Sequence, residues 1–184
     1  MRQKVTVKEY AIVLVMSISL AVGLNNVLLF LDLAKYSKAY QEAVKVLYAP
    51  SLIEQILLTG ILIPIVEELI FRGLLFKILR KWIPFVFAMM ISAVLFGLYH
   101  GNLVQFVYAS LCGLMLAYFY ERFQSVVVPI CAHMVMNLVA VLFTEYGIFT
   151  WMFEELCRMI CMIAFCTFVF IVCWAILVRK GENR

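Results

Sequence analysis

Six stretches of this chain, at about 10–31, 52–75, 82–99, 103–120, 126–143 and 159–178, are each about 20 mostly apolar residues. As a helix, that length spans a bilayer core about 30 Å thick. Lipid offers no partner for an open backbone, so the stretches are expected as helices. The alternation of a membrane β-barrel strand is absent from them. Composition agrees: 66% of the 184 residues are hydrophobic and 14% charged, where soluble domains run at about 45–50% and 25%. A mean hydropathy of +1.05 leaves too little polar surface for a water-soluble domain of this size. The expectation is an all-α, polytopic helical membrane bundle of about six spans, forming a single membrane domain over residues 1–184.

Basic residues orient such a bundle. With the amino terminus cytoplasmic, the inner segments hold Arg2, Lys4, Lys8, Lys77, Arg80, Lys81, Arg122, Arg179, Lys180 and Arg184. The outer segments hold Lys35, Lys38, Lys45 and Arg158, together with the loop acids Glu145, Glu154 and Glu155. This bias predicts a multi-pass plasma-membrane protein with both termini inside. The first stretch is long and lacks a small-residue cleavage site, which predicts a retained anchor. The segment between Asp32 and Tyr48 can hold an interfacial helix. The basic residues flank apolar runs and form no stripe, which excludes nucleic acid as a partner. Six cysteines (Cys112, Cys131, Cys157, Cys161, Cys166, Cys173) include no C-x-x-C pair and are expected as small packing residues. Trp82, Tyr120 and Trp174 suit an interfacial belt.

Ionisable groups within the spans need an explanation, because burying one near mid-bilayer costs on the order of 2.5–3.5 kcal/mol. The second stretch reads PIVEELIFRG over 64–73, with Glu67, Glu68 and Arg72 inside two helical turns. Glu67 lies roughly 20 Å along a helix from Lys81, far from the inner surface. Glu68 and Arg72 stand at i, i+4, where a carboxylate reaches a guanidinium and Arg72 can snorkel inward. Glu67 points about 100° away and remains available for chemistry. The third stretch ends with Phe96 and His100 on one face, the ring walling one side of the imidazole. The fifth carries His133 and Asn137 at i, i+4, two polar tips on one spot. A lone histidine or a lone ion pair is more often structural, but here three helices each supply such groups. Intramembrane ionisable residues are functional candidates by default.

In order, these residues spell Glu-Glu-x-x-x-Arg, Phe-x-x-x-His and His-x-x-x-Asn on successive helices. The set resembles the CPBP family of intramembrane proteases, the type II CAAX prenyl endopeptidases and their bacteriocin-processing and self-immunity relatives. The likeness covers the core at about 52–143. It implies an intramembrane endopeptidase acting on a peptide or on a lipidated or membrane-bound protein tail. By the same likeness Glu67 and His100 activate water, His133 and Asn137 stabilise the oxyanion, and Glu68 with Arg72 organise the first motif. A metal-independent glutamate mechanism with no cofactor follows from the prenyl endopeptidases. The alternative is Zn²⁺ held by Glu67, His100 and His133. Competing readings from another class are a non-catalytic peptide-binding immunity protein or a small proton-coupled transporter using Glu67 and His100.

Overall fold

A computed structural model describes residues 5–182, with side chains described as far as Arg179. Among the described residues there are helices and turns and no strand. Arg2, Lys4 and Arg184, counted in the charge bias, lie outside the described residues, and the Lys180 side chain does too. The elements are α1 (Val7–Phe30), α2 (Lys38–Leu47), α3 (Leu52–Trp82), α4 (Phe85–Tyr99), α5 (Leu103–Phe123), α6 (Val127–Glu145), α7 (Ile148–Phe153) and α8 (Leu156–Glu182). All six apolar stretches are therefore helical, but six spans is not the count that length and composition support. Four described helices, α1, α5, α6 and α8, are long and apolar enough to cross a membrane. The pair α2–α3, bent by 110°, makes a fifth if counted as one span. The reason lies in α3, whose charged groups dilute its apolar run, and in α4, which has only 15 residues.

Local chemistry accounts for the element boundaries. Thr6 caps α1 in a reciprocal box with Glu9. Ser51 and Glu54 do the same for α3. Pro84 lacks the N–H that would continue α3 and opens α4 instead. Polar residues within α1 satisfy themselves: Ser17 donates to the Val13 carbonyl at 2.8 Å and Asn26 to that of Val22 at 2.9 Å. Such internal bonds let α1 lie in an apolar setting without orphaned donors.

Packing divides the bundle into two layers around α5 and α6. Helices α1, α5, α6 and α8 share an apolar core built on Val13, Met16, Leu116, Phe119, Met136 and Leu177. Helix α4 packs most extensively on α5. Gly97 allows that approach, since a Cβ there would meet the Phe106 carbonyl oxygen at 2.7 Å and collide with Ser110. At one end Arg80 of α3 holds Glu121 of α5 through two nitrogens, at 2.8–3.2 Å. At the other end Gln55 donates to Glu145 at 2.7 Å, and the Tyr48 hydroxyl meets Thr144 at 3.2 Å.

Helix α2 fills the segment between Asp32 and Tyr48, where the sequence allows an interfacial helix. It is amphipathic: Tyr40, Val44 and Leu47 turn inward while Lys38, Gln41, Glu42 and Lys45 are exposed. Two cysteines depart from the packing role expected of them. Cys157 and Cys161 are exposed on the outward face of α8, opposite the buried Met159, whereas Cys112 and Cys166 are buried. Trp82 is 82% exposed at the end of α3. Tyr120 instead packs its ring on Phe76, and Trp174 stacks on Phe170.

Candidate active site

Helix α3 carries the first polar motif between two wide turns. Residues Ile56–Leu62 and Leu69–Phe76 are π-helical, and the intervening Ile63–Glu68 is α-helical. Such widened turns recur at functional sites. Here they flank Glu67 and Glu68, both buried. The first widening also precedes Pro64, whose ring would crowd the carbonyl four residues back in a regular α-turn.

Glu68 and Arg72 form an ion pair at 2.8 Å with both side chains fully buried. Arg72 does not snorkel to the surface as the sequence allowed. Its second amino group donates to the Gly113 carbonyl of α5 at 3.0 Å, and its guanidinium lies 4.6 Å from the Phe96 ring centroid. Gly113 leaves room for it: a Cβ there would sit 3.1 Å from the Arg72 nitrogen. With carbonyl, carboxylate and ring around it, the cation is better solvated inside than a long exposed side chain would require.

Glu68 also reaches α6. Its Oε1 lies 2.9 Å from His133 Nδ1. A carboxylate already accepting from Arg72 can only accept here as well, so Nδ1 carries the proton and donates. Nε2 of His133 then faces Glu67, whose Oε2 is 3.7 Å away. Asn137, one turn on, donates from Nδ2 to the Thr59 carbonyl at 2.9 Å. One of its two amide hydrogens is thereby used, and the other is left for a ligand.

The second histidine is built on the same plan. His100 Nδ1 is 2.9 Å from the Phe96 carbonyl oxygen, an acceptor only, so Nδ1 is the donor and Nε2 presents a lone pair in the neutral ring. The Phe96 ring stands edge-on to both imidazoles, with centroids 5.1 Å from His100 and 5.6 Å from His133. Glu67, His100, His133 and Asn137 all line one cavity of about 340 Å³. Glu68 and Arg72 lie behind its wall. The cavity sits toward the ends of the helices joined by α2 and by the 100–102 turn, away from the start of α1.

Thr59, Gly113, Asn25 and Tyr108 also shape the site, and the motifs gave no sign of the last three. Thr59 alone had a signal, two helical turns before Glu67 on the same helix. Among the described residues, no group of three or more His, Cys, Asp and Glu side chains is placed to hold a metal ion.

Comparisons with known proteins point to a family of membrane peptidases. The model of the type II CAAX prenyl endopeptidase Rce1-like family matches residues 49–139, about half of the chain. That span holds all three motifs. The core of this chain belongs to the CPBP family. A curated relative, "Putative membrane peptidase YdiL" of Bacillus subtilis (strain 168), is 38% identical over 87 residues, 47% of this chain. The match spans 36% of that relative, so the chain covers about a third of its length. No solved structure matches. The CPBP match stops before α7 and α8 and begins after α1 and α2.

Proposed function

We propose that this protein is an intramembrane endopeptidase of the plasma membrane that hydrolyses a peptide bond in a peptide or in a lipidated or membrane-bound protein tail. The observation that carries the reading is the orientation of the two imidazoles. Each has its Nδ1 tied to an acceptor behind it, which leaves Nε2 turned to the cavity that holds Glu67.

The chemistry follows from those orientations. Water in the cavity gives its proton to Glu67, assisted by the Nε2 lone pair of His100, and its oxygen bonds to the scissile carbonyl carbon. The negative charge formed on the carbonyl oxygen is met by the remaining amide hydrogen of Asn137 and by Nε2–H of a doubly protonated His133. Collapse of this intermediate breaks the C–N bond. The proton held by Glu67 passes to the departing nitrogen, leaving an acid and an amine. Glu68 and Arg72 touch no reacting atom; they fix the His133 ring. No metal is required by these steps, and activity is expected to survive exhaustive chelation. Full loss with recovery on Zn²⁺ would reverse that choice.

With the amino terminus cytoplasmic, the cavity opens toward the outer leaflet. The test is mass spectrometry of peptides from membranes expressing wild type or Glu67→Gln protein. New peptide termini are expected with wild type and not with the variant. Equal cleavage by a folded Glu67→Gln protein would refute the assignment.

A further inference from the structure

The hydrolytic chemistry leaves one polar side chain of the cavity unused. Gln105, in the first turn of α5, lines the cavity together with His100. It belongs to none of the three motifs, and it is half-buried.

Hydrogen-bond chemistry fixes which way its amide points. The Gln105 backbone N–H donates to Asn102 Oδ1 at 2.9 Å, which caps α5. Since Oδ1 accepts there, Nδ2 is the donating end of the Asn102 amide. It gives one hydrogen to the His100 carbonyl at 3.2 Å and the other to the Gln105 side chain. A donor needs an acceptor opposite, so Oε1 of Gln105 faces Asn102 and Nε2 is the free end. Gly101, at φ +72°, makes the turn that brings Asn102 back over the His100 carbonyl. Nε2 meets no acceptor among the described residues, and it is not one of the side-chain atoms sealed inside the bundle. Its two hydrogens are therefore available to whatever fills the cavity, on an amide tied through Asn102 to the backbone of His100.

We propose that Gln105 is a substrate-binding residue whose Nε2 donates to a main-chain carbonyl of the peptide other than the scissile one. This rests on the endopeptidase reading. Charge on the scissile oxygen is met from α6, by His133 and Asn137. Gln105 stands instead on α5 beside His100, so its donor meets a different oxygen. Every residue of an extended peptide offers such a carbonyl, and the contact aligns the chain without selecting side chains. Because Asn102 already holds the amide, little side-chain freedom is lost when substrate binds. The bond is made in the ground state and the transition state alike, so it acts on KM.

The experiment uses the full-length protein in lipid nanodiscs and a pool of internally quenched decapeptides randomised over alanine, leucine, valine, phenylalanine and serine. The member cut fastest by wild type is then made singly for kinetics. Gln105→Met removes the donor and adds no charge, and the backbone N–H of residue 105 still reaches its cap. It is expected to raise KM about 3- to 10-fold, the value of one net hydrogen bond, with kcat within about twofold of wild type. Asn102→Asp keeps the cap but turns an acceptor toward Gln105, whose amide then flips and withdraws Nε2 from the cavity. A similar rise in KM is expected, at an unchanged melting temperature, and combining the two substitutions should add nothing further. Wild-type KM in both folded variants, or a fall in kcat at constant KM, would overturn the assignment of Gln105 while the endopeptidase reading stands. If wild type cuts no member of the pool, the endopeptidase reading falls and takes the Gln105 contact with it.

Discussion

Replacing Arg72 by methionine would leave the Glu68 carboxylate charged, fully buried and short of its cation. Both side chains of the pair are at 0% exposure with a 2.8 Å contact. Removing one member of such a pair costs about 3–5 kcal/mol, most of it the penalty on the charge left behind. The methionine stem retains much of the packing volume, so cavity formation adds little. At about 2–4 °C per kcal/mol for a chain of this size, the melting temperature should fall by on the order of 10 °C. Restoring neutrality with Glu68→Gln in the same chain should recover a large part of the loss, because neighbouring groups couple strongly. Arg80→Met supplies the control. Its partner Glu121 is equally close at 2.8 Å, but the two side chains are 31% and 27% exposed. Water and headgroups can take over there, and the loss should be about 1 kcal/mol or less. The assay is thermal unfolding of wild type, Arg72→Met, Glu68→Gln, their double variant and Arg80→Met in one detergent. An Arg72→Met protein that melts with wild type, or a double variant that loses the sum of both single losses, would refute the view that Arg72 neutralises a buried carboxylate.

Two further outcomes follow from the geometry. Gly97→Val should destabilise the protein by about 1–3 kcal/mol through overpacking, because even a Cβ meets the Phe106 carbonyl; an unchanged melting point would show that α4 and α5 can separate freely. Asn137→Ala should lower kcat with little change in KM, since its spare hydrogen is used on charge that forms only in the transition state; a pure KM effect would assign it to substrate binding instead.

The motif residues were legible in the sequence because charges in an apolar run stand out. Their i, i+4 spacing also foretold the Glu68–Arg72 pair, since both ends belong to one helix. The fate of Arg72 was not legible. Its spacing from the inner surface permits snorkelling, and what keeps it inside is the Gly113 carbonyl 41 residues away together with the Phe96 ring. Glu68 likewise looked like a partner for Arg72 alone, yet its contact with His133 joins residues 65 apart. The count of six spans differs from the four or five that helix length and composition give, for a different reason. Hydropathy measures apolar length and is blind to the bend between α2 and α3 and to the early end of α4 at Tyr99.

Composition and pattern alone determined that this chain is a helical membrane protein and which side chains are out of place in lipid. Both are properties of single segments meeting a solvent, so no contact between segments is needed to read them. Tertiary structure decided which ring nitrogen faces the cavity, where Arg72 finds its acceptors, and that Tyr108 and Asn25 share a wall. Those depend on how neighbouring helices are rotated about their axes. That rotation is set by close approach at residues such as Gly97 and Gly113, whose importance is invisible until the opposing helix is present.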